Sequence, residues 1–134
     1  MKTKILVIGI VKNGEKVLMR KKPAGSGPYK ETWYLFGAEL KGPNPEVSLK
    51  EVLKSQAGIE VKPTERLVWD TETKPDEKGE IAFYIYLDYM CEYISGELKA
   101  GEGIEKLEWV PIESLSNYDI VPPSLKLFER IGYL

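Results

Sequence analysis

With no histidine and a single cysteine, Cys91, the chain cannot build a disulfide framework, a His/Cys zinc site, or a Ser-His or Cys-His catalytic pair. Any metal would have to be held by oxygen, so the carboxylates are the first side chains to weigh. In the stretch PEVSLKEVLKSQA, Pro45 to Ala57, they are Glu46 and Glu51. Five residues apart on a helix, they stand about 140° around its axis at roughly 100° per residue, so they cannot chelate one ion without a partner from elsewhere. As candidate catalytic acids they compete with a plainer role, since acids in the first turns of a helix favour its dipole. Tyr84 and Tyr86 could stack on a base or sugar from a sheet, as aromatics do in ligand clefts, or pack in the core. Gly25-Ser26-Gly27 has the glycines of a phosphate cradle, but it lacks a Gly-Lys-Ser/Thr ending and leads into no helix, which makes it a linker.

The elements that must position these groups follow from pattern. Asn44-Pro45 opens a helix, because the Asn side chain can accept from an early backbone N–H and Pro suits the first helical position. Leu49, Val52, Leu53 and Gln56 share one face, and Gly58 can supply the left-handed stop. Ahead of it, Lys4–Val11 and Lys16–Arg20 flank Asn13-Gly14 and are predicted to form a β-hairpin turning on those two residues. The loop 21–32 is followed by an apolar segment, Trp33 to Leu40, predicted to be a strand turning at Gly37. Ile59–Val61 and Leu67–Thr71 read as two strands. The segment Ile81 to Ile94 is apolar on both faces, Phe83/Ile85/Leu87 and Tyr84/Tyr86, which predicts helices on both sides of the sheet. Lys106–Val110 is a last strand, and Pro122-Pro123-Ser124 opens a closing helix, Leu125–Ile131.

At 134 residues this is one domain, residues 1–134, with 43% hydrophobic and 30% charged residues, as in ordinary folded globules. The net charge of −2, with acids and bases intermixed, gives no basic footprint for long nucleic acid. Lys2 and Lys4 before an apolar run imitate a signal peptide, but the run is short and no small-residue cleavage site follows. A mature β-hairpin of a cytoplasmic protein, without a membrane segment, is the expectation.

That order of elements, together with Leu35–Val61, LFGAELKGPNPEVSLKEVLKSQAGIEV, resembles the Nudix hydrolase family, whose fold is an α/β/α sandwich with a mixed β-sheet between helices. The resemblance extends over most of the chain. It includes the hairpin ending in Arg20, Trp33 before the loop, the loop–helix element, and Glu108-Trp109-Val110-Pro111 leading into Ile112–Leu115. The family signature is Gly, five residues, Glu, seven residues, Arg-Glu, a hydrophobe, any residue, Glu-Glu, any residue, Gly and a hydrophobe. In family members it binds magnesium and hydrolyses a diphosphate linked to another moiety. Laid on this chain without gaps, it keeps Gly37, Leu53, Gly58 and Ile59, whereas Pro43, Glu51, Val52 and Ser55-Gln56 stand where Glu, Arg, Glu and Glu-Glu are expected. Pairing Lys50-Glu51 with the Arg-Glu instead restores only Glu51, and no register yields more than one of the helix glutamates.

Those acids matter because glutamates at offsets zero, three and four project from one helix face, where they can hold hard divalent cations and orient a water toward phosphorus. A valine cannot coordinate Mg²⁺, and neutral Ser and Gln oxygens neither offset its charge nor act as a base. The resemblance implies that Arg20 faces a substrate, unless it is simply a solvated strand-end arginine. It also implies that Glu39, and Glu102 or Glu105, could approach the helix start as substitute ligands.

Three functions are compatible with this. The favoured one is a homologue that has lost Mg²⁺-dependent hydrolysis, needs no cofactor, and keeps a cleft for a nucleotide-like or phosphorylated small molecule, because the losses fall on the acidic positions and spare the structural ones. The second is an atypical pyrophosphohydrolase holding Mg²⁺ or Mn²⁺ through Glu39, Glu46, Glu51 or Glu102. The third is an interaction module, such as a homodimer, whose cleft is vestigial.

Overall fold

The computed structural model describes residues 1–134. The hairpin forms between β1 (Lys2–Asn13) and β2 (Lys16–Lys21), but its turn is Gly14-Glu15 rather than Asn13-Gly14. Gly14 alone takes positive φ, 61°, so one glycine at the first turn position suffices and Asn13 stays in the ladder. The two strands pair only at Lys12↔Val17 and Asn13↔Lys16 and then splay apart.

The segment after the loop wedges into that gap. Its first half, β3 (Trp33–Tyr34), pairs with β2, and its second, β4 (Phe36–Glu39), pairs with β1. The expected turn at Gly37 is absent, because the break falls two residues earlier, at Leu35. There the backbone leaves both ladders, and its polar groups find side chains instead: Leu35 N–H donates to Ser124 Oγ (3.2 Å), and Arg20 Nε donates to Leu35 O (3.1 Å). Gly37 lies within β4 opposite Ile8, where a Cβ would fall 2.6 Å from Ile8 Cδ1 and 3.3 Å from the Val7 carbonyl. Close approach is what suits glycine to the site.

On its other edge β1 runs parallel to β6 (Ile81–Ser95), which pairs antiparallel with β5 (Glu60–Pro75), while β7 (Lys106–Pro111) pairs with β2. The two short strands expected before Thr71 are parts of this single long β5. Register shifts between Glu60 and Val61, Pro63 and Glu65, and Arg66 and Trp69 absorb its polar middle. An edge strand tolerates Pro63 and a solvated stretch, and this is why hydrophobic pattern alone breaks it in two. The result is a mixed sheet ordered β3-β2-β1-β6-β5, with β4 on β1 and β7 on β2.

Each face of the sheet carries a helix. Helix α1 (Pro45–Ala57) buries Leu49, Leu53 and Ala57 against Val7, Val11, Phe36 and Cys91. Its ends are the ones the residues dictate: Asn44 Oδ1 accepts from the N–H groups of Glu46 (3.0 Å) and Val47 (3.3 Å), and Gly58 closes it at φ 75°. Asn44→Ala is expected to cost about 1 kcal/mol, read as a lowered midpoint in thermal or urea unfolding with the fold retained. Helix α2 (Pro122–Arg130) starts at Pro122, three residues ahead of expectation, and packs Leu127 and Phe128 over Ile10, Val17 and Met19 on the opposite face. The α/β/α sandwich with a mixed sheet is therefore the architecture. No helix is long and apolar enough to cross a membrane.

Candidate functional site

The splayed hairpin opens a cleft of about 420 Å³ between the end of β2, Gly37, the Val52–Gln56 face of α1 and the loop that precedes β7. Arg20 is fixed there by its bond to Leu35 O, and its guanidinium lies 5.0 Å from the Phe36 ring centroid and 5.7 Å from that of Tyr34. Burial pushes it down to about 10, which still leaves it charged at neutral pH. Lys22 sits 4.7 Å over the Tyr34 ring. Burial, with Arg20 and Lys74 nearby, holds its ammonium below the usual lysine range. Neither cation has a carboxylate partner within salt-bridge distance. Ser26 of the Gly-Ser-Gly loop lines the same cleft, a position at odds with a mere linker.

The opposite wall is supplied by the loop 96–105, laid along the end of α1. Lys99 N–H donates to Ala57 O and Gly101 N–H to Gln56 O, both at 2.9 Å, capping the last carbonyls of the helix. A Cβ on Gly101 would sit 3.0 Å from Gln56 Cα, so the approach needs a glycine. This brings Glu102 into the cleft beside Val52 and Gln56.

Of the acids singled out from sequence, Glu102 is the one that lines this cleft. It meets the middle and end of α1 rather than its start. Glu46 and Glu51 are exposed on the helix and line neither this cleft nor the cavity described below. Glu39 is exposed at the end of β4 and its charge is felt at Lys4, while Glu105 pairs with Lys21 at 3.2 Å. Ser55 is exposed, with its hydroxyl turned back 3.4 Å from the Val52 carbonyl. Nowhere do three carboxylates, or carboxylates with the cysteine, converge. One carboxylate, an amide and a valine do not fit the magnesium that the resemblance implies, because a hard cation needs several charged oxygens.

Tyr84 and Tyr86 lie on the α2 face of the sheet, buried and stacked with ring centroids 6.2 Å apart. Tyr86 donates to Glu72 Oε1 (2.7 Å), as does Tyr29 (2.6 Å) from the loop before β3, and Lys74 Nζ donates to the Tyr29 hydroxyl (2.8 Å). Tyr84 is thereby committed to packing beneath Lys74, whose ammonium lies 4.6 Å from its centroid. Tyr86 also lines a second cavity of about 180 Å³, roofed by α2. Its floor includes Asp88, a residue the sequence reading passed over as part of an apolar run. An aspartate amid IAFYIYLDYMCEYI was the available signal, since a charge in a doubly covered strand needs a reason.

No protein-family model matches the chain. The nucleoside triphosphatase NudI of Klebsiella pneumoniae subsp. pneumoniae is 27% identical over 126 residues, covering 90% of each chain. NudI of Escherichia coli O17:K52:H18 is 26% identical over an alignment of 141 residues that covers the whole of both. Among solved structures, a Nudix hydrolase from Nitrosomonas europaea superposes with a TM-score of 0.78 at 14% identity, over 98% of this chain and 89% of that one. The Nudix domain of Shewanella oneidensis NrtR, complexed with ADP ribose, gives 0.71 at 14% identity, over 98% and 86%. The relatives run nearly the whole length of the chain, and the sandwich is the one that its loop–helix–glycine stretch implies: the chain is similar in sequence to nucleoside triphosphatases of the NudI type and has the fold of the Nudix hydrolases.

Proposed function

We propose that the chain binds a nucleotide-like or phosphorylated small molecule in the Arg20–Lys22 cleft, without a divalent metal and without hydrolysing it. The observation that carries this is the charge balance of the cleft: two unpaired cations face one carboxylate, Glu102, across a wall of Val52 and Gln56. A half-buried cation without a carboxylate partner has exchanged hydration only for ring contacts and, in Arg20, one carbonyl, so an anion entering the cleft restores more of what burial removed. A metal-dependent site has the opposite balance, with acids holding the cation that in turn holds the phosphate. The names of the relatives agree with the ligand class, since NudI is a nucleoside triphosphatase and the NrtR domain was solved with ADP ribose.

Titration calorimetry with nucleoside triphosphates and ADP ribose in EDTA tests the binding, and phosphate release with Mn²⁺ tests the chemistry. Saturable binding in EDTA with no release is expected. Mn²⁺-dependent release would instead favour a hydrolase built around Glu102, and absence of both signals an interaction module with a vestigial cleft.

A further inference from the structure

Helix α1 covers only part of the sheet face on which it lies. It closes over β1 and β6 where Leu49 approaches Gly9 and Cys91, and the rows nearer the start of both strands are left open. Residues opposite one another in the ladders share a face, so Ile5 of β1, Trp69 of β5 and the β6 residues Ile81, Phe83, Ile85 and Leu87 all point to this open side. Trp69 is 67% exposed, Ile81 53% and Ile5 36%, while the other three are half-buried. The positions that complete the rows are Thr3, Thr71 and Thr73, so no charge stands among them.

The charges of the same strands point the other way. Lys2, Lys4, Glu72 and Lys74 alternate onto the α2 face, where each is held in an ion pair. A sheet face that meets only water carries the polar half of the alternation, and here the open face carries the apolar half. Three strands about 4.8 Å apart and four same-face rows about 6.7 Å apart give this patch a footprint of about 400 Å². Contiguous apolar patches of that size mark interaction sites.

We propose that two copies of the chain associate through this face, the sheets packed front to front about a two-fold axis. The absence of charge favours a second copy over a partner chosen by charge, because an uncharged face meets its own image with no repulsion. A net charge of −2 adds little repulsion at longer range. The outer edge of β5 is the competing route to a dimer, and it is blunted: Pro63 and Pro75 lack N–H groups, and three register shifts break the strand's regularity. The footprint is about half of the roughly 800 Å² that each partner gives to a standard stable interface, so the dimer is a weak one. Its surface shares no residue with the anion cleft or the α2 cavity, so association leaves both open and is independent of what the cleft binds.

Sedimentation velocity on the wild type from about 5 µM to about 1 mM is expected to show monomer passing into dimer, with a dissociation constant on the order of 100 µM. Over the same series tryptophan emission should move to the blue as the Trp69 ring leaves water. Trp69→Lys and Ile81→Lys replace side chains that lie largely in solvent, so the monomer should keep its fold. In a two-fold interface each substitution brings in two like charges, and the dimer should weaken at least about tenfold. Ile81→Lys retains Trp69, and its emission should stay unshifted across the series. A wild type that remains monomeric up to about 1 mM overturns the proposal and leaves the face to a different partner. So does a folded Trp69→Lys or Ile81→Lys that dimerises as tightly as the wild type. Should one variant fail to fold, the other and the wild-type series still decide.

Discussion

Val52→Glu together with Gln56→Glu is expected to create a divalent-cation site where the wild type has none. The two positions are four apart on α1, stand on one face, and line the cleft that Glu102 also lines. The double variant therefore gathers three carboxylates around one space, enough charged oxygen for a hard cation. Ser55, which the family signature would also convert, is exposed with its hydroxyl turned back onto the helix, so Ser55→Glu should add little. The change has a modest expense in stability: a glutamate near the helix C-terminus opposes the dipole by about 0.3–1 kcal/mol, and an acid replacing half-buried Val52 loses apolar contact. Mn²⁺ titration followed by electron paramagnetic resonance should show free ion throughout for the wild type and saturable uptake for the variant. A folded variant that takes up no Mn²⁺ would mean that the 52/56 face and Glu102 do not share a site.

Arg20→Gln is expected to weaken binding of pyrophosphate or a nucleoside triphosphate by about 10- to 100-fold, the equivalent of roughly 1.5–3 kcal/mol for losing a charged donor to a phosphate. Arg20→Lys should recover only part of the loss. The guanidinium fork holds Leu35 O with Nε while its other nitrogens remain for a ligand, and an ammonium on a flexible stem cannot do both. Lost Nε donation also frees a carbonyl at the strand break, so melting should be compared alongside, with a loss of about 1 kcal/mol expected. Calorimetry at fixed ionic strength separates the two effects. Unchanged affinity in a folded Arg20→Gln would remove the charge balance on which the proposed function stands.

The parts of this molecule legible from sequence are those whose causes are local. Asn44, Pro45 and Gly58 delimit α1 because capping involves atoms only a few residues apart, and Leu49 and Leu53 mark its buried face through a spacing the helix imposes. The alternation in Ile81–Ile94 predicted a helix on each face, and helices do lie on both. The strand that splits at Leu35 was not legible. Its break depends on Ser124, 89 positions away, and on Arg20 across the hairpin, and neither leaves a mark on the pattern of 33–40.

The candidate site divides along the same line. Sequence by itself determined which chemistry is on offer: oxygen ligands only, a signature helix with Val52, Ser55 and Gln56 on its acid positions, and an arginine ending the second strand. Only the tertiary structure decided which of the scattered charges meet. It set Glu102 rather than Glu39, Glu46 or Glu51 in the cleft, left Arg20 and Lys22 without carboxylate partners, and turned Asp88 into a buried cavity with no donor. The reason is physical. Whether a carboxylate is a surface charge, half of an ion pair or a lone buried acid depends on the solvent it loses and the neighbours it gains, and both are properties of chain segments brought together by folding.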